Sequence, residues 1–285
     1  MRYSALGVPV GYRRRNRPAV GCLPFGYSAM NDHFLIPWER RRKVPWTGLD
    51  VLALFLLYIV LMQCCVGLVR LPESSVPGAV PTTEHPLTQL VKQGQGLTIV
   101  WFVVFFGAVI AAPLGEEFFF RLVLQGWLEK HESPPFRWKI LPHGAVSVVF
   151  VSLLFAVLHG GGRTEHSADT LLLLVLGCAI ANVCFTVLGV VFLRLRNATW
   201  SDLGLRFHRL PSDFGWAALF FVLFVPPIIC IHLAAQSLFP GTVTDPIPLF
   251  FFAVVLGFLF YRTRRLAGCV LLHAMLNGYS LMVAG

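Results

Sequence analysis

The sequence predicts an all-α protein, a polytopic bundle of about seven transmembrane helices. Two observations support this fold class. Hydrophobic residues make up 56% of the 285 residues and charged residues only 13%, which is too few charges to cover the surface of a soluble domain. Long apolar runs also alternate with short basic blocks, the usual pattern of membrane spans and the loops between them. The lipid bilayer is therefore the expected solvent.

Seven apolar runs reach, or nearly reach, the ~20 residues that a helix needs to cross a bilayer. In chain order they are residues 49–69, 97–114, 145–159, 171–193, 214–239, 247–261 and 267–284. The runs 145–159 and 247–261 are the shortest and are marginal in length, so the number of spans is predicted only as about seven.

The basic residues predict the orientation of the spans. If the N-terminus is cytoplasmic and the spans alternate, nineteen Lys and Arg fall on the inner side and only Arg70, Lys92 and Arg163 on the outer side. An excess of this kind marks the cytoplasmic side of a membrane protein. We therefore interpret the net charge of +9 as topology, and we expect no nucleic-acid partner.

Residues 1–45 are basic and rich in Gly and Pro, and they lack the long apolar segment of a signal peptide. We predict a disordered cytoplasmic tail here and a transmembrane domain over residues 46–285. The expected location is the inner membrane of a bacterial cell, although the endoplasmic reticulum stays open. The seven Cys form no CxxC pair, so neither a zinc finger nor a disulfide framework is expected.

Two adjacent glutamates interrupt an apolar region in the stretch "GEEFFFR", residues 115–121. Ionisable groups at membrane depth are costly and usually mark function. Neighbours on a helix point about 100° apart, whereas residues four apart share a face. Glu117 and Arg121 can therefore pair, which leaves Glu116 free to act as a general base on water. The alternative is that the three charges cap the end of a span at the interface.

Two further motifs place polar side chains on apolar runs. "FAVLH" supplies Phe155 and His159, and "HAMLN" supplies His273 and Asn277, in each case four residues apart on one helical face. His159 could simply be a hydrogen-bonded residue at the membrane interface. His273 and Asn277 must both find partners inside the bundle, either in an active site or as hydrogen bonds between helices.

Taken in chain order, these three motifs resemble those of the CPBP family of intramembrane proteases. This family is also called the ABI family and includes the type II CAAX prenyl endopeptidases. The flanking stretches "RLVLQGWL" and "LGFLFYRTRRLAGCVLLHAMLN" resemble family members as well. The resemblance covers most of the chain from Pro45 onward.

The resemblance implies a peptide hydrolysis that depends on a glutamate inside a membrane cavity. By position, Glu116 would activate the attacking water with help from His159, while His273 and Asn277 would hold and polarise the scissile carbonyl. The supporting residues would be Glu117, Arg121 and Phe155. The implied partners are membrane lipid and a peptide or prenylated protein substrate. The resemblance does not identify a particular substrate, since relatives also have other functions such as bacteriocin immunity.

Two alternatives stay open at this point. A glutamate and two histidines are a known set of zinc ligands, and the spacing of the motifs does not separate metal catalysis from direct acid–base catalysis. The resemblance favours catalysis without a metal or other cofactor. The other alternative is a non-catalytic membrane scaffold or immunity protein with the same fold.

The order of the segments departs from the family pattern. A stretch like "TWSDLGLRFHRLPSDFGWAALFF" is expected before the glutamate pair, but here it follows the FxxxH motif. We hypothesise that the blocks 84–164 and 165–244 are exchanged relative to relatives. Each block holds two spans, so the orientation of the flanking helices survives the exchange. The two helices between His159 and the last spans are then expected to pack outside the site.

The depth of the motif residues raises a separate question. Glu116 lies just beyond the cytoplasmic end of the run 97–114, whereas His159 lies near the outer end of its short run. These positions are too far apart along the membrane normal for one site. Either residues 97–128 form one long helix, kinked at Pro113, or the run before His159 begins later than predicted.

Overall fold

A computed structural model describes residues 44–67, 90–92, 98–132, 144–160, 168–240 and 244–284. The predicted cytoplasmic tail, residues 1–45, lies outside these ranges except for Val44 and Pro45. Its predicted disorder therefore stays a prediction.

The described residues form helices joined by loops, without a strand. The helices are α1 (Gly48–Gly67), α2 (Thr98–His131), α3 (Ala145–Leu158), α4 (Ala168–Leu195), α5 (Leu210–Leu238), α6 (Pro246–Thr263) and α7 (Leu266–Ala284). A 3₁₀ turn at Phe207–Arg209 precedes α5. Six of these helices are long and apolar enough to cross a membrane, and α3 is a shorter apolar helix. The predicted all-α, polytopic bundle is confirmed.

Helix α2 agrees with one of the two alternatives for the depth of Glu116, a single long helix over residues 97–128. The apolar run ends at residue 114, but the helix continues to His131. Hydropathy ends the run at the charged motif, whereas in the folded bundle those charged side chains pair with one another and need not leave the membrane. The helix is also irregular, since two π-helical segments, Phe105–Ala111 and Phe118–Gln125, flank the α-helical turn Ala112–Glu117.

The long α2 resolves the depth problem. Glu116 lies fifteen residues before the end of α2 at His131, or about 22 Å at 1.5 Å per residue. The 14 residues of α3 span about 21 Å before the chain reaches His159. Both lengths are measured from the same end of the bundle, because Ser147 near the start of α3 donates a hydrogen bond to Glu132 just after α2, at 2.7 Å. Glu116 and His159 therefore lie at one depth.

One end of the bundle collects charged and polar contacts between helix termini. The contacts are Lys130 Nζ to the Trp46 carbonyl oxygen at 3.1 Å, Arg196 Nε to Asp50 Oδ1 at 2.9 Å, Arg265 Nη2 to Asp213 Oδ2 at 2.6 Å, and Arg264 to Glu129. We call this the charged end. Many large apolar side chains on the outer faces of the helices are exposed instead, as expected where lipid is the solvent. Which side of the membrane the charged end faces stays a prediction.

Aromatic side chains form the centre of the bundle around the glutamate motif. Phe118 and Phe185 are fully buried, with their ring centroids 5.5 Å apart in an edge-to-face arrangement that joins α2 to α4. Phe120 makes a similar contact with Phe155 of α3, at 5.1 Å. The phenylalanines that follow Glu117 thus fix α2 between its two neighbours.

Helix α4 packs directly against the turn of α2 that carries Glu116. Gly115 makes this approach possible, since a Cβ at its position would lie only 2.1 Å from Oδ1 of Asn182. The expectation that both helices of the block 165–244 lie away from the site is therefore wrong for α4. The exchange of the two blocks relative to relatives stays a prediction.

Replacing Gly115 with Ala tests this close approach. The new Cβ would also lie 2.9 Å from the Cβ of Asn182, so α2 and α4 must move apart. We expect a lower unfolding temperature in detergent, equivalent to about 1–3 kcal/mol, as found for overpacked cores. Gly215→Ala in α5 is the control, because a Cβ there meets nothing within 4 Å and Ala favours the helix. Equal unfolding temperatures for the two variants would contradict the close packing.

Candidate active site

Three helices bring the predicted motif residues together around the carboxylate of Glu116. His159, which ends α3, places Nε2 3.7 Å from Oε2 of Glu116. His273, in the middle of α7, places its own Nε2 3.9 Å from the same oxygen. Both distances are longer than a direct hydrogen bond of about 2.7–3.2 Å. One carboxylate oxygen is thus approached by two imidazole nitrogens, without a direct hydrogen bond to either.

The opposite nitrogen of each imidazole fixes its orientation. Nδ1 of His159 lies 2.7 Å from the carbonyl oxygen of Phe155, and Nδ1 of His273 lies 2.9 Å from Oε1 of Glu117. Both partners are acceptors, so each Nδ1 must carry the proton and donate. In both rings Nε2 is therefore the atom left to act on Glu116 or on a bound molecule.

Glu117 has a different role from its neighbour. Its side chain is fully buried, and both carboxylate oxygens accept hydrogen bonds: Oε2 from Arg121 Nε at 3.1 Å and Oε1 from His273. The predicted pairing of Glu117 with Arg121 is present, and the bond to His273 adds a link from α2 to α7. The interpretation of these charges as a cap at the interface does not fit the complete burial of Glu117 and Arg121.

Phenylalanine rings hold the two imidazoles in place. Phe155 is fully buried, and its ring centroid lies 4.3 Å from that of His159 and 6.0 Å from that of His273. Phe252 of α6 packs edge-on against His273 at 5.5 Å. The guanidinium of Arg121 lies 5.7 Å from the Phe155 centroid, so the predicted supporting residues belong to one cluster.

Burial decreases across the site in one direction. The Glu117 side chain is 0% exposed, that of His273 5%, that of Glu116 15% and that of His159 34%. The carboxylate of Glu116 is therefore reached from the side of His159. This side is where α3 ends, and it faces away from the charged end.

Asn277 reaches the same region, but its side chain contacts backbone. Its Nδ2 donates to the carbonyl oxygen of Ala108 in α2, at 2.8 Å. A hydrogen bond between helices of this kind is the alternative role that the sequence allows for Asn277. The predicted contact of Asn277 with a substrate carbonyl stays a prediction.

Some residues near the site were not predicted. Tyr58 of α1 and Cys178 of α4 lie close enough to Glu116 to interact with it electrostatically, and they flank it on the side of those two helices. The sequence carried no signal for them, since a single Tyr or Cys in an apolar run is ordinary.

Two further polar residues of α2 could have been found from their spacing in the sequence. Gln125 and Glu129 continue the spacing of four that begins with Glu117 and Arg121. Gln125 Nε2 donates to Glu129 Oε1 at 2.8 Å and to the Gly257 carbonyl oxygen of α6 at 2.9 Å. We call Glu117, Arg121, Gln125 and Glu129 the polar ladder. It runs down α2 toward the charged end.

Within the described ranges, no group of three or more His, Cys, Asp or Glu side chains is arranged to hold a metal ion. Catalysis without a metal and the zinc alternative both stay predictions, since neither has been tested.

Two stretches of the chain, residues 98–204 and 189–279, match a family model described as type II CAAX prenyl endopeptidase Rce1-like. Together they take in more than half of the chain and all three motifs. The chain belongs to this Rce1-like family. The expected relation to the type II CAAX prenyl endopeptidases is thereby confirmed. No curated protein and no solved structure matched the chain.

Membership of the Rce1-like family agrees with the helical fold. The chain is an integral, multi-pass membrane protein of a CAAX-protease-like family. The family implies a membrane-associated peptide or a prenylated protein as the substrate.

Breaking the buried pair tests the role of Glu117. Glu117→Gln would leave the guanidinium of Arg121 buried without a carboxylate, and we expect a loss of about 3–5 kcal/mol. The double variant Glu117→Gln/Arg121→Met removes both charges and should regain most of that loss. Chemical unfolding in detergent micelles gives both values.

The control for this experiment is Arg196→Met at the charged end. The Arg196 side chain is 57% exposed, so removing its contact with Asp50 should change stability by about 1 kcal/mol or less. A double variant less stable than Glu117→Gln alone would show that the buried guanidinium of Arg121 does not need Glu117 to be stable.

Proposed function

We propose that the chain is an intramembrane endopeptidase that hydrolyses a peptide bond with a water activated by Glu116. One observation carries the proposal: two imidazoles, each held through Nδ1, direct Nε2 toward the same oxygen of Glu116. Helix packing alone gives no reason for this convergence, because every polar atom involved has a desolvation cost in a bilayer.

A water molecule can bridge Glu116 and either histidine. The distances of 3.7 and 3.9 Å from Oε2 of Glu116 to the two Nε2 atoms allow a water oxygen about 2.8 Å from both atoms of either pair. Glu116 would then accept a proton from this water, and His159 would orient it. Since His159 is the most exposed member of the cluster, it also lies where water and substrate would enter.

The proposed reaction balances without a cofactor. The water oxygen forms a bond to the scissile carbonyl carbon while its proton passes to Glu116. The carbonyl oxygen becomes an oxyanion that His273 stabilises through Nε2. The carbon–nitrogen bond then breaks, Glu116 delivers the proton to the leaving amine, and the acid product remains.

Glu117 holds the His273 ring in place for this role. Nδ1 of His273 donates to Glu117, which leaves Nε2 directed toward Glu116 and the position proposed for the oxyanion. In the proposed mechanism the ring donates through both nitrogens, to Glu117 and to the oxyanion.

We propose a membrane-associated peptide or prenylated protein as the substrate, with the charged end of the bundle and the N-terminus on the cytoplasmic side. The family match and the exposed apolar faces support a substrate that reaches the site from the membrane. The basic residues at the charged end support the orientation. The inner membrane of a bacterium remains the proposed location.

The substitution Glu116→Gln tests the base directly. It keeps the shape of the side chain and removes its ability to accept a proton, so we expect peptide cleavage to fall by about 10²–10⁴-fold. Cleavage of a prenylated CAAX peptide by the purified protein in detergent is the measurement, and unchanged unfolding temperature verifies the fold.

Glu132→Gln is the matched control, because Glu132 lies outside the site and contacts Ser147 instead. It should cleave like the unsubstituted protein. Equal cleavage by Glu116→Gln and Glu132→Gln would contradict the mechanism. A folded protein that cleaves no peptide in any form would favour the scaffold alternative.

Removal of metal ions tests the remaining alternative. If Glu116 acts directly on water, exhaustive chelation and buffer exchange should leave the rate of peptide cleavage unchanged. The assay compares cleavage before chelation, after chelation and after adding back zinc. A loss that zinc reverses would establish a metal-dependent mechanism and overturn the direct one.

A further inference from the structure

The helix that carries Glu116 changes its hydrogen-bond register just before that residue. Over Phe105–Ala111 the backbone is π-helical, so N–H groups donate to the carbonyl oxygen five residues earlier in the chain. The last such bond runs from the Ala112 N–H to the Gly107 carbonyl oxygen. From Ala112 to Glu117 the helix is α-helical again.

This change of register leaves the Ala108 carbonyl without a backbone donor. Its α-helical donor would be the Ala112 N–H, which bonds to Gly107 instead. Its π-helical donor would be residue 113, which is a proline and has no N–H. Ala108 is buried, and an unpaired carbonyl at membrane depth costs several kcal/mol.

Asn277 supplies the missing donor from another helix. Its Nδ2 lies 2.8 Å from the Ala108 carbonyl oxygen. One turn earlier on α7, His273 bonds to Glu117 at 2.9 Å. Helix α7 thus holds α2 on both sides of Pro113, once before Glu116 and once directly after it.

We propose that Asn277 is a positioning residue whose bond to the Ala108 carbonyl fixes where the π-helical register ends, and thereby the direction in which Glu116 points. A shift of register by one residue turns the following side chains by about 100°. Such a turn would carry the Glu116 carboxylate away from the Nε2 atoms of His159 and His273. The inference rests on the proposed function of Glu116, and it leaves the second N–H of Asn277 Nδ2 available for a substrate.

A double-mutant cycle with Pro113 tests the inference. Asn277→Ala removes the donor, and we expect kcat for peptide cleavage to fall by up to about 10²-fold with KM unchanged, because Glu116 is misdirected while the substrate still binds. Pro113→Ala restores a backbone N–H that can reach the freed carbonyl. In that background, Asn277→Ala should therefore lower kcat by a smaller factor.

The control for the rescue is His273→Ala in the Pro113→Ala background. His273 does not contact the Ala108 carbonyl, so Pro113→Ala should not restore the activity that His273→Ala removes. The inference is overturned if Asn277→Ala lowers kcat by the same factor with and without Pro113. Rescue of His273→Ala as well would overturn it too, because the effect of Pro113→Ala would then not be specific to the carbonyl.

The same double-mutant cycle can be measured through unfolding temperatures in detergent, which do not require enzymatic activity. Asn277→Ala should lower the unfolding temperature of the unsubstituted protein more than that of Pro113→Ala. If the unsubstituted protein cleaves no peptide, the proposed function fails and this measurement alone decides the contact. Coupling between the two positions then supports the bond to Ala108, and additive effects overturn it.

Discussion

The buried carboxylate of Glu117 is the constraint on which the rest of the site depends. A charged group at this depth is tolerated only when its charge and both its oxygens are satisfied by partners. Arg121 satisfies one oxygen from within α2, and His273 satisfies the other from α7. The same bonds that make the burial of Glu117 acceptable also fix the rotation of α2 and the orientation of the His273 ring. Because Glu116 is the next residue on the helix, its direction follows from that of Glu117.

The two histidines are equivalent in orientation but not in surroundings. Each donates through Nδ1, His159 to a backbone carbonyl and His273 to a carboxylate. The neutral carbonyl beside His159 and the buried carboxylate beside His273 give the two rings different electrostatic surroundings. The exposed fraction of the side chain is 34% for His159 and 5% for His273. The more buried ring is therefore the one that bonds to the buried carboxylate of Glu117. Local partners therefore separate two roles that the sequence alone does not distinguish.

Much of this fold could be predicted from sequence, because hydropathy determines which segments are buried in lipid. The run 171–193 lies wholly within α4, and the other spans agree to within a few residues except α2. Hydropathy fails at α2 because it scores each charge as if it faced lipid, while the polar ladder satisfies its charges inside the bundle. The convergence of Glu116, His159 and His273 followed from three motifs. The bond from Asn277 to Ala108 could not be predicted, since it depends on a π-helical register that leaves no pattern of side chains.

An adjacent pair of glutamates divides two tasks that one glutamate could not perform together. A carboxylate that anchors a buried helix must have its oxygens occupied, and a carboxylate that accepts a proton must have one available. Two neighbours on a helix point about 100° apart, so one can face the helix bundle and the other an accessible cavity. Arg121 lies four residues after Glu117 and five after Glu116, and it forms its bond with the first. The spacing of the motif thus directs the guanidinium to Glu117. The charge of Arg121 stabilises the fold, and in the proposed mechanism Glu116 stays available to accept a proton.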